Sequence, residues 1–181
     1  MIINERPTPI ARGVRFSGWC ATASDRSRRG MLQRAWDDSE SMAGEGRDMD
    51  HFKARIAKLL VEFFGNDYRR INHALEVLKY AEKIRDDGQE CDYEILVAAA
   101  LLHDIGIKRS EELHGYNNGK TQEEYGPPIA RELLQEIGFP ADKTETVCRI
   151  IGNHHSPSRH DYTELKILKE ADRIVNRLEG D

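Results

Sequence analysis

From residue 50 onward, apolar side chains recur at helical spacing, and turn residues punctuate the pattern. Phe52, Ile56, Leu59, Leu60, Phe63 and Phe64 predict a first helix that Gly65 stops. Asn66 or Asp67 can cap a second, whose stripe of Ile71, Ala74, Leu75, Leu78, Ala81 and Ile84 ends near Gly88, with His73 close to the stripe. Asp92 caps a third helix running to about Asp104, and its run from Ile95 to Leu102 is apolar enough to be buried nearly all round. Gly106 lets the chain turn, and residues 107–126, with Gly115, Asn117, Asn118 and Gly119 among charges, read as a surface loop that shapes a pocket. Pro127 and Pro128 open a helix to Ile137, ended by Gly138. A further helix after Pro140 turns Val147, Ile150 and Ile151 inward, and a last one spans about Glu164 to Glu179. Neither strand-like alternation nor an internal repeat occurs, so the expected fold is an all-α bundle of about six helices.

Residues 1–48 carry Pro7, Pro9 and many Arg, Ser and Gly residues without either period, and are expected to form a poorly ordered extension ahead of a domain over 49–181. Met49 directly precedes the first periodic segment and offers an alternative start. At 181 residues the chain suffices for one domain with a sizeable core. A net charge of −5 argues against a broad basic footprint, so no stable nucleic-acid complex is expected. Cys20, Cys91 and Cys148 are widely spaced and form neither a disulfide framework nor a zinc knuckle. With no apolar run of the ~18 residues that span a bilayer and no secretory leader, a soluble, cytoplasmic protein without membrane partners is expected. A homodimer is compatible with a helical domain of this size, although no heptads argue for one.

His103 and Asp104 stand at the end of the most apolar helix. An unpaired buried carboxylate costs several kcal/mol, so a cation or a dense hydrogen-bond network must sit beside it. Candidate partners are His73 in Arg70-Ile71-Asn72-His73, Asp172 in Glu170-Ala171-Asp172-Arg173, and the pair His154-His155. The order His, His-Asp, His-His, Asp resembles the HD-domain metal-dependent phosphohydrolases. The similarity extends to Ala99-Ala100-Leu101-Leu102-His103-Asp104-Ile105-Gly106, to Ile129-Ala130-Arg131-Glu132-Leu133-Leu134, and to Ile150-Ile151-Gly152-Asn153-His154-His155-Ser156-Pro157, over about residues 50–178.

The resemblance implies that His73, His103, Asp104 and Asp172 hold a divalent metal. Two imidazoles with two carboxylates suit Mn, Fe, Co, Ni or Mg in an open shell better than structural zinc. Such a metal lowers the pKa of bound water and polarises a phosphoryl oxygen. In relatives that bind two metals, the His-His pair and one further histidine complete the second site. Matching the Ile129–Leu134 segment puts Gly126 where that histidine would stand, which favours a single metal over a dinuclear centre. Glu123 or Glu124 are carboxylate substitutes, with solvated loop surface the plainer reading. His154 and His155 are then left as groups behind the ligands, a weak second site, or general acid and phosphate contacts.

Candidate catalytic residues are therefore Asp104, His154, His155 and Lys108, the last because a basic residue often trails the His-Asp dipeptide in the family. Arg109 and Arg70 are alternatives for binding phosphate, Arg70 because it lies on the same helix face as His73. Glu76 and Lys79 read as solvated surface, and Glu164 as a helix-opening acid. The expected activity is cleavage of a phosphate ester of a small metabolite, foremost a nucleotide, by metal-activated water. A di-iron oxygenase on the same fold and a non-catalytic nucleotide-binding module are the alternatives.

Overall fold

A computed structural model describes residues 49–180, and the apolar run from Ile95 to Leu102 lies at its centre, every residue buried. A helix apolar on all sides must be surrounded, and burying each Leu, Ile or Val contributes roughly 1.5–3 kcal/mol. The surrounding elements are α1 over 49–64, α2 (Tyr68–Asp86), α4 (Gly106–His114), α5 (Gly119–Glu136), α6 (Ala141–Ile151) and α7 (Thr163–Glu179), with α3 (Tyr93–Leu102) in the middle. Helices α2, α6 and α7 pack on α3, α7 also packs on α2, and α5 lies between α4 and α6. No strand occurs among the described residues, and no helix of theirs is long and apolar enough to cross a membrane.

Acids set the starts of α2 and α3. Asp67 accepts from the Arg70 backbone N–H at 3.3 Å, and Asp92 from those of Glu94 and Ile95 at 3.1 and 3.2 Å. Glu164, expected only to open the last helix, is buried, and its Oε1 accepts from the Asp92 N–H at 2.6 Å. That bond ties the start of α7 to the start of α3. Helix α3 stops at Leu102 rather than at Asp104, and residues 103–105 form a tight turn held by Ile105 N–H to Leu102 O at 3.1 Å and Ile107 N–H to Asp104 O at 3.0 Å. On a regular helix adjacent side chains diverge by ~100°. The turn is what lets His103 and Asp104 address one site.

Three expectations need correction. Residues 107–126 are not a loop: α4 occupies the first part, burying Gly106, Ile107 and Ser110 on one face, and α5 begins at Gly119. Helix α4 presents too few apolar residues for its period to show. The Asn118 and Gly119 that suggested a loop are instead the cap and first residue of α5, where Asn118 and Thr121 form a reciprocal capping box. Pro127 and Pro128 lie inside α5 rather than at its start. Their missing N–H groups weaken the ladder, and helical packing against α4 and α6 carries the segment through.

Gly106 is also not a turn glycine. A Cβ there would stand 2.6 Å from the Gln122 carbonyl oxygen and 2.7 Å from the Gly126 nitrogen, and one on Gly126 would stand 2.7 Å from Ile151 Cγ2. Gly106 lets α4 and α5 approach backbone to backbone, and Gly126 makes room for the Ile151 side chain of α6. The expected disorder of residues 1–48 falls outside the described residues.

Because its obstruction is backbone on a facing helix, Gly106→Ala is expected to destabilise the fold by about 1–3 kcal/mol, the usual penalty for overpacking. Urea titration followed by circular dichroism should show a lower midpoint at unchanged slope; an unchanged midpoint would mean that α4 can retreat freely.

Candidate metal centre

Helix α2 supplies His73 from its inner face, the α3–α4 turn supplies His103 and Asp104, the segment after α6 supplies His154 and His155, and α7 supplies Asp172. His73 Nε2 lies 3.2 Å from Asp172 Oδ1 and 3.7 Å from Asp104 Oδ2. His103 Nε2 lies 3.4 Å from Asp104 Oδ2 and 3.7 Å from Asp172 Oδ1. Two imidazole nitrogens and two carboxylate oxygens thus face one another. Ligands at right angles around a cation with bonds of 2.0–2.2 Å sit about 3 Å apart, so the spacing is that of a coordination shell.

The rings are held from behind. His73 Nδ1 donates to Glu179 Oε2 at 3.2 Å, His103 Nδ1 to the Ala100 carbonyl at 2.8 Å, and His154 Nδ1 to the Ile151 carbonyl at 2.7 Å. Each of these acceptors places the proton on Nδ1 and turns Nε2 toward the site. Asn176 Nδ2 donates to Asp172 Oδ1 at 3.1 Å and orients that carboxylate. Behind this order, His103 Nε2 and His154 Nε2 are buried with no hydrogen-bond partner. Two buried nitrogens left unmatched opposite carboxylates are costly in a polar network and ordinary in a cation site. The residues present therefore fit a divalent metal.

Electrostatics agree. Burial opposes charge on His103, but Asp104 and then Asp172 outweigh it and hold the imidazole up at about 9. Burial likewise opposes the Asp104 carboxylate, yet His103 and His154 keep it well below its ordinary range. Asp172 is lowered too, its burial overcome by His73 and His103. His155 goes the other way, as burial and the adjacent His154 push it down to about 4.

A second donor group forms around Asp104, His154 and His155. Asp104 Oδ1 lies 3.8 Å from His154 Nε2 while its Oδ2 faces the first group, so this one carboxylate looks both ways. Gly126, matched above to a ligand position, packs against Ile151 and reaches no ligand atom. The α5 side chain that meets the site is Gln122, one turn earlier, whose Oε1 accepts a short hydrogen bond from His155 Nε2. Glu123 does not turn in as a substitute ligand. Its carboxylate accepts from the His155 and Ser156 backbone N–H groups at 2.9 and 2.7 Å and so pins the His-His segment.

Beside the ligands opens a cavity of about 450 Å³. Lys108 is not part of it: its ammonium donates to the Phe63 carbonyl at 3.2 Å, 5.4 Å over the Phe63 ring, and Arg109 pairs with Glu112 at 3.4 Å. The basic residues lining the cavity are Arg69 and Arg70. Arg70 is braced by Asp67 at 2.9 Å and by Glu111 at 2.6 Å. Glu76 and Lys79 pair with each other at the surface. Gln122, Asn176 and Glu179 were missed from the pattern. For the last two a signal existed, because Asn176 and Glu179 follow Asp172 by one and two helical turns and share its face.

The sequence pattern of the HD domain matches residues 70–177, well over half of the chain. An uncharacterised protein of Methanocaldococcus jannaschii is 34% identical over 73 residues, which are 38% of this chain and 37% of that protein. Among solved structures, a predicted HD superfamily hydrolase from an uncultured Thermotogales bacterium is similar with a TM-score of 0.52 at 31% identity, over 67% of this chain and 66% of that one. The match thus spans just under two thirds of the solved chain and little more than a third of the archaeal relative.

Because a cation must displace the proton that His103 holds up to a pH of about 9, divalent-metal affinity is expected to rise with pH and level off near that value. The gradient below it should be about tenfold per pH unit for each proton released. In metal-free protein the raised His103 pKa contributes stability that is complete below 6.5 and lost as pH climbs through about 9. The Tm of stripped protein should therefore fall over that window while the increment gained on adding metal grows. Metal titrations and melts at several pH values check both, and a pH-independent affinity would remove His103 from the coordinating set.

Proposed function

The chain belongs to the HD-domain superfamily, and from that premise we propose that it is a metal-dependent phosphohydrolase that cleaves a phosphate ester of a small metabolite, nucleotides being the first class to try. The observation that carries the reading is the pair of buried, unpartnered nitrogens, His103 Nε2 and His154 Nε2, turned toward Asp104. His73, His103, Asp104 and Asp172 would hold a divalent cation, with His154, His155 and the outer oxygen of Asp104 offering a second, poorer position. When bound, such a cation supplies Lewis acidity that acidifies water and polarises a phosphoryl oxygen.

The remaining work falls to the chain's own side chains. Arg70, clamped by Asp67 and Glu111, stands three residues before His73 and lines the cavity beside the ligands, where its guanidinium would meet a phosphate. Arg69 lines the same cavity. His155, held down to about 4, is neutral at neutral pH. Its Nε2–H donates to Gln122 Oε1, which orients the ring beside the second donor group. Glu179 fixes the His73 ring and Asn176 fixes Asp172, so the donor set is preorganised rather than assembled by substrate.

The second donor group around Asp104 is the observation that favours the di-iron oxygenase alternative. Gln122 on His155, in place of a further charged or imidazole ligand, weighs against it. Iron content with optical spectroscopy separates the two, since a stable di-iron absorption would support the oxygenase. The complete donor set likewise disfavours a non-catalytic binding module.

Protein loaded with Mn, Fe, Co, Ni or Mg is expected to hydrolyse phosphomonoesters in a broad panel, and His103→Ala or Asp104→Ala to abolish both tight metal binding and turnover. Arg70→Ala should cost roughly ten- to a hundredfold in kcat/KM, the worth of a charge-assisted hydrogen bond, whereas Lys108→Ala should change it little. A panel with no hydrolysed phosphomonoester, phosphodiester or nucleotide under any of the metals would end the proposal.

A further inference from the structure

The cavity away from the cation ligands is lined by side chains that end in polar groups, while their carbon stems supply as much of its surface as the polar atoms do. Asp67, Arg69, Arg70, Asn117, Asn176 and Glu179 line it, and Ile107 is its one apolar residue. Among the described residues no Phe, Tyr or Trp lines it. Pockets that recognise a planar base offer apolar faces, and stacking on an aromatic ring is the usual way that a base is held. Here the rings that line the cavity are the imidazoles of His73 and His155, tied by their nitrogens to Glu179, Asp172 and Gln122, while oxygen acceptors are plentiful.

Those acceptors are also fixed. Glu179 uses Oε2 on His73 Nδ1, which leaves Oε1 to a ligand. Asn176 uses its NH₂ group on Asp172, which leaves its carbonyl oxygen. Asn117 donates to Glu111 at 2.6 Å and accepts from Gln122 at 3.1 Å, so its amide plane is set by two neighbours. Oxygens held in this way match the O–H donors of an alcohol with several hydroxyl groups. Charge gives a second constraint. Two guanidinium groups, those of Arg69 and Arg70, line the cavity, and Arg70 is already shared with Asp67 and Glu111, which suits one phosphate better than a triphosphate chain.

We infer that the ester cleaved here is a phosphomonoester of a small polyhydroxylated alcohol, recognised through its hydroxyl groups and without discrimination among nucleobases. The inference rests on the phosphohydrolase reading and narrows its substrate. In the reaction, a P–O bond forms to water and the P–O bond to the alcohol breaks. The departing alkoxide takes up a proton supplied by that water, and orthophosphate and the free polyol are the products. A nucleoside monophosphate enters with its ribose against the same polar wall and its base at the mouth.

The test compares kcat/KM of the full, metal-loaded chain for ribose 5-phosphate, glucose 6-phosphate, glycerol phosphate, the ribonucleoside 5′-monophosphates, butyl phosphate and p-nitrophenyl phosphate. Sugar phosphates are expected to exceed butyl phosphate by about tenfold or more, with the nucleotides within about threefold of one another. Asn117→Ala should shrink the preference for ribose 5-phosphate over p-nitrophenyl phosphate by about tenfold, through KM. One nucleotide exceeding the others and the sugar phosphates by about tenfold, butyl phosphate matching the sugar phosphates, or Asn117→Ala slowing both esters equally would each overturn the inference. Cleavage of p-nitrophenyl phosphate in those cases leaves the phosphohydrolase reading standing; no cleavage of any ester defeats that reading and the inference together.

Discussion

Asp104 and Asp172 are carboxylates held among imidazoles at the edge of an apolar core, and the rest of the structure is arranged to make that placement tolerable. Removing a carboxylate from water is costly unless opposite charge and hydrogen bonds replace the solvent. The replacements come from elements far apart in sequence: His73 on α2, His103 on the α3–α4 turn, His154 beyond α6 and Asn176 on α7. Each imidazole is fixed at Nδ1 by an acceptor of its own, so none is free to rotate away and relieve the strain of two unpartnered nitrogens. A proton or a cation placed among these groups would answer both unpartnered nitrogens and both carboxylates.

The amount of this that could be read from the sequence follows from where the signals lie. Helices with long stripes declared themselves, as did the cap at Asp92 and, as one of two candidates with Asn66, the cap at Asp67, because helical period and cap chemistry are local. Helix α4 was hidden because it buries only a narrow face of Gly106, Ile107 and Ser110, most of which is not hydrophobic. Pro127 and Pro128 pointed to a start that Asn118 and Thr121 had already made two turns earlier. In both cases tertiary contact overrode local preference, with close approach at Gly106 and Gly126 taking the place of an apolar stripe.

The candidate site divides in the same way. His73, His103, Asp104 and Asp172 could be proposed because their residue types in that order resemble a family pattern, and the structure brings them together. Lys108 was proposed on proximity in sequence, and the direction of its side chain, toward Phe63, depends on the turn of α4 that had not been foreseen. Gln122 was displaced by one turn for a related reason: with α5 taken to begin at the prolines, the position facing His155 fell outside any helix. Hydrogen-bond partners such as Glu111 for Arg70 lie on elements whose relative placement no local pattern encodes.

Helix α7 shows why metal and substrate recognition are not separable here. Asp172 belongs to the candidate cation set, Asn176 one turn later orients it, and Glu179 a further turn on orients His73, yet Asn176 and Glu179 also line the cavity. One helical face therefore carries the ligand, its support and the pocket wall. A change at the wall shifts the outer hydrogen bonds of the cation ligands, and such bonds typically govern metal affinity by 10–100-fold. Asn176 and Glu179 are for that reason constrained twice, since the oxygens they turn to the cavity are the free ends of groups whose other ends hold Asp172 and His73.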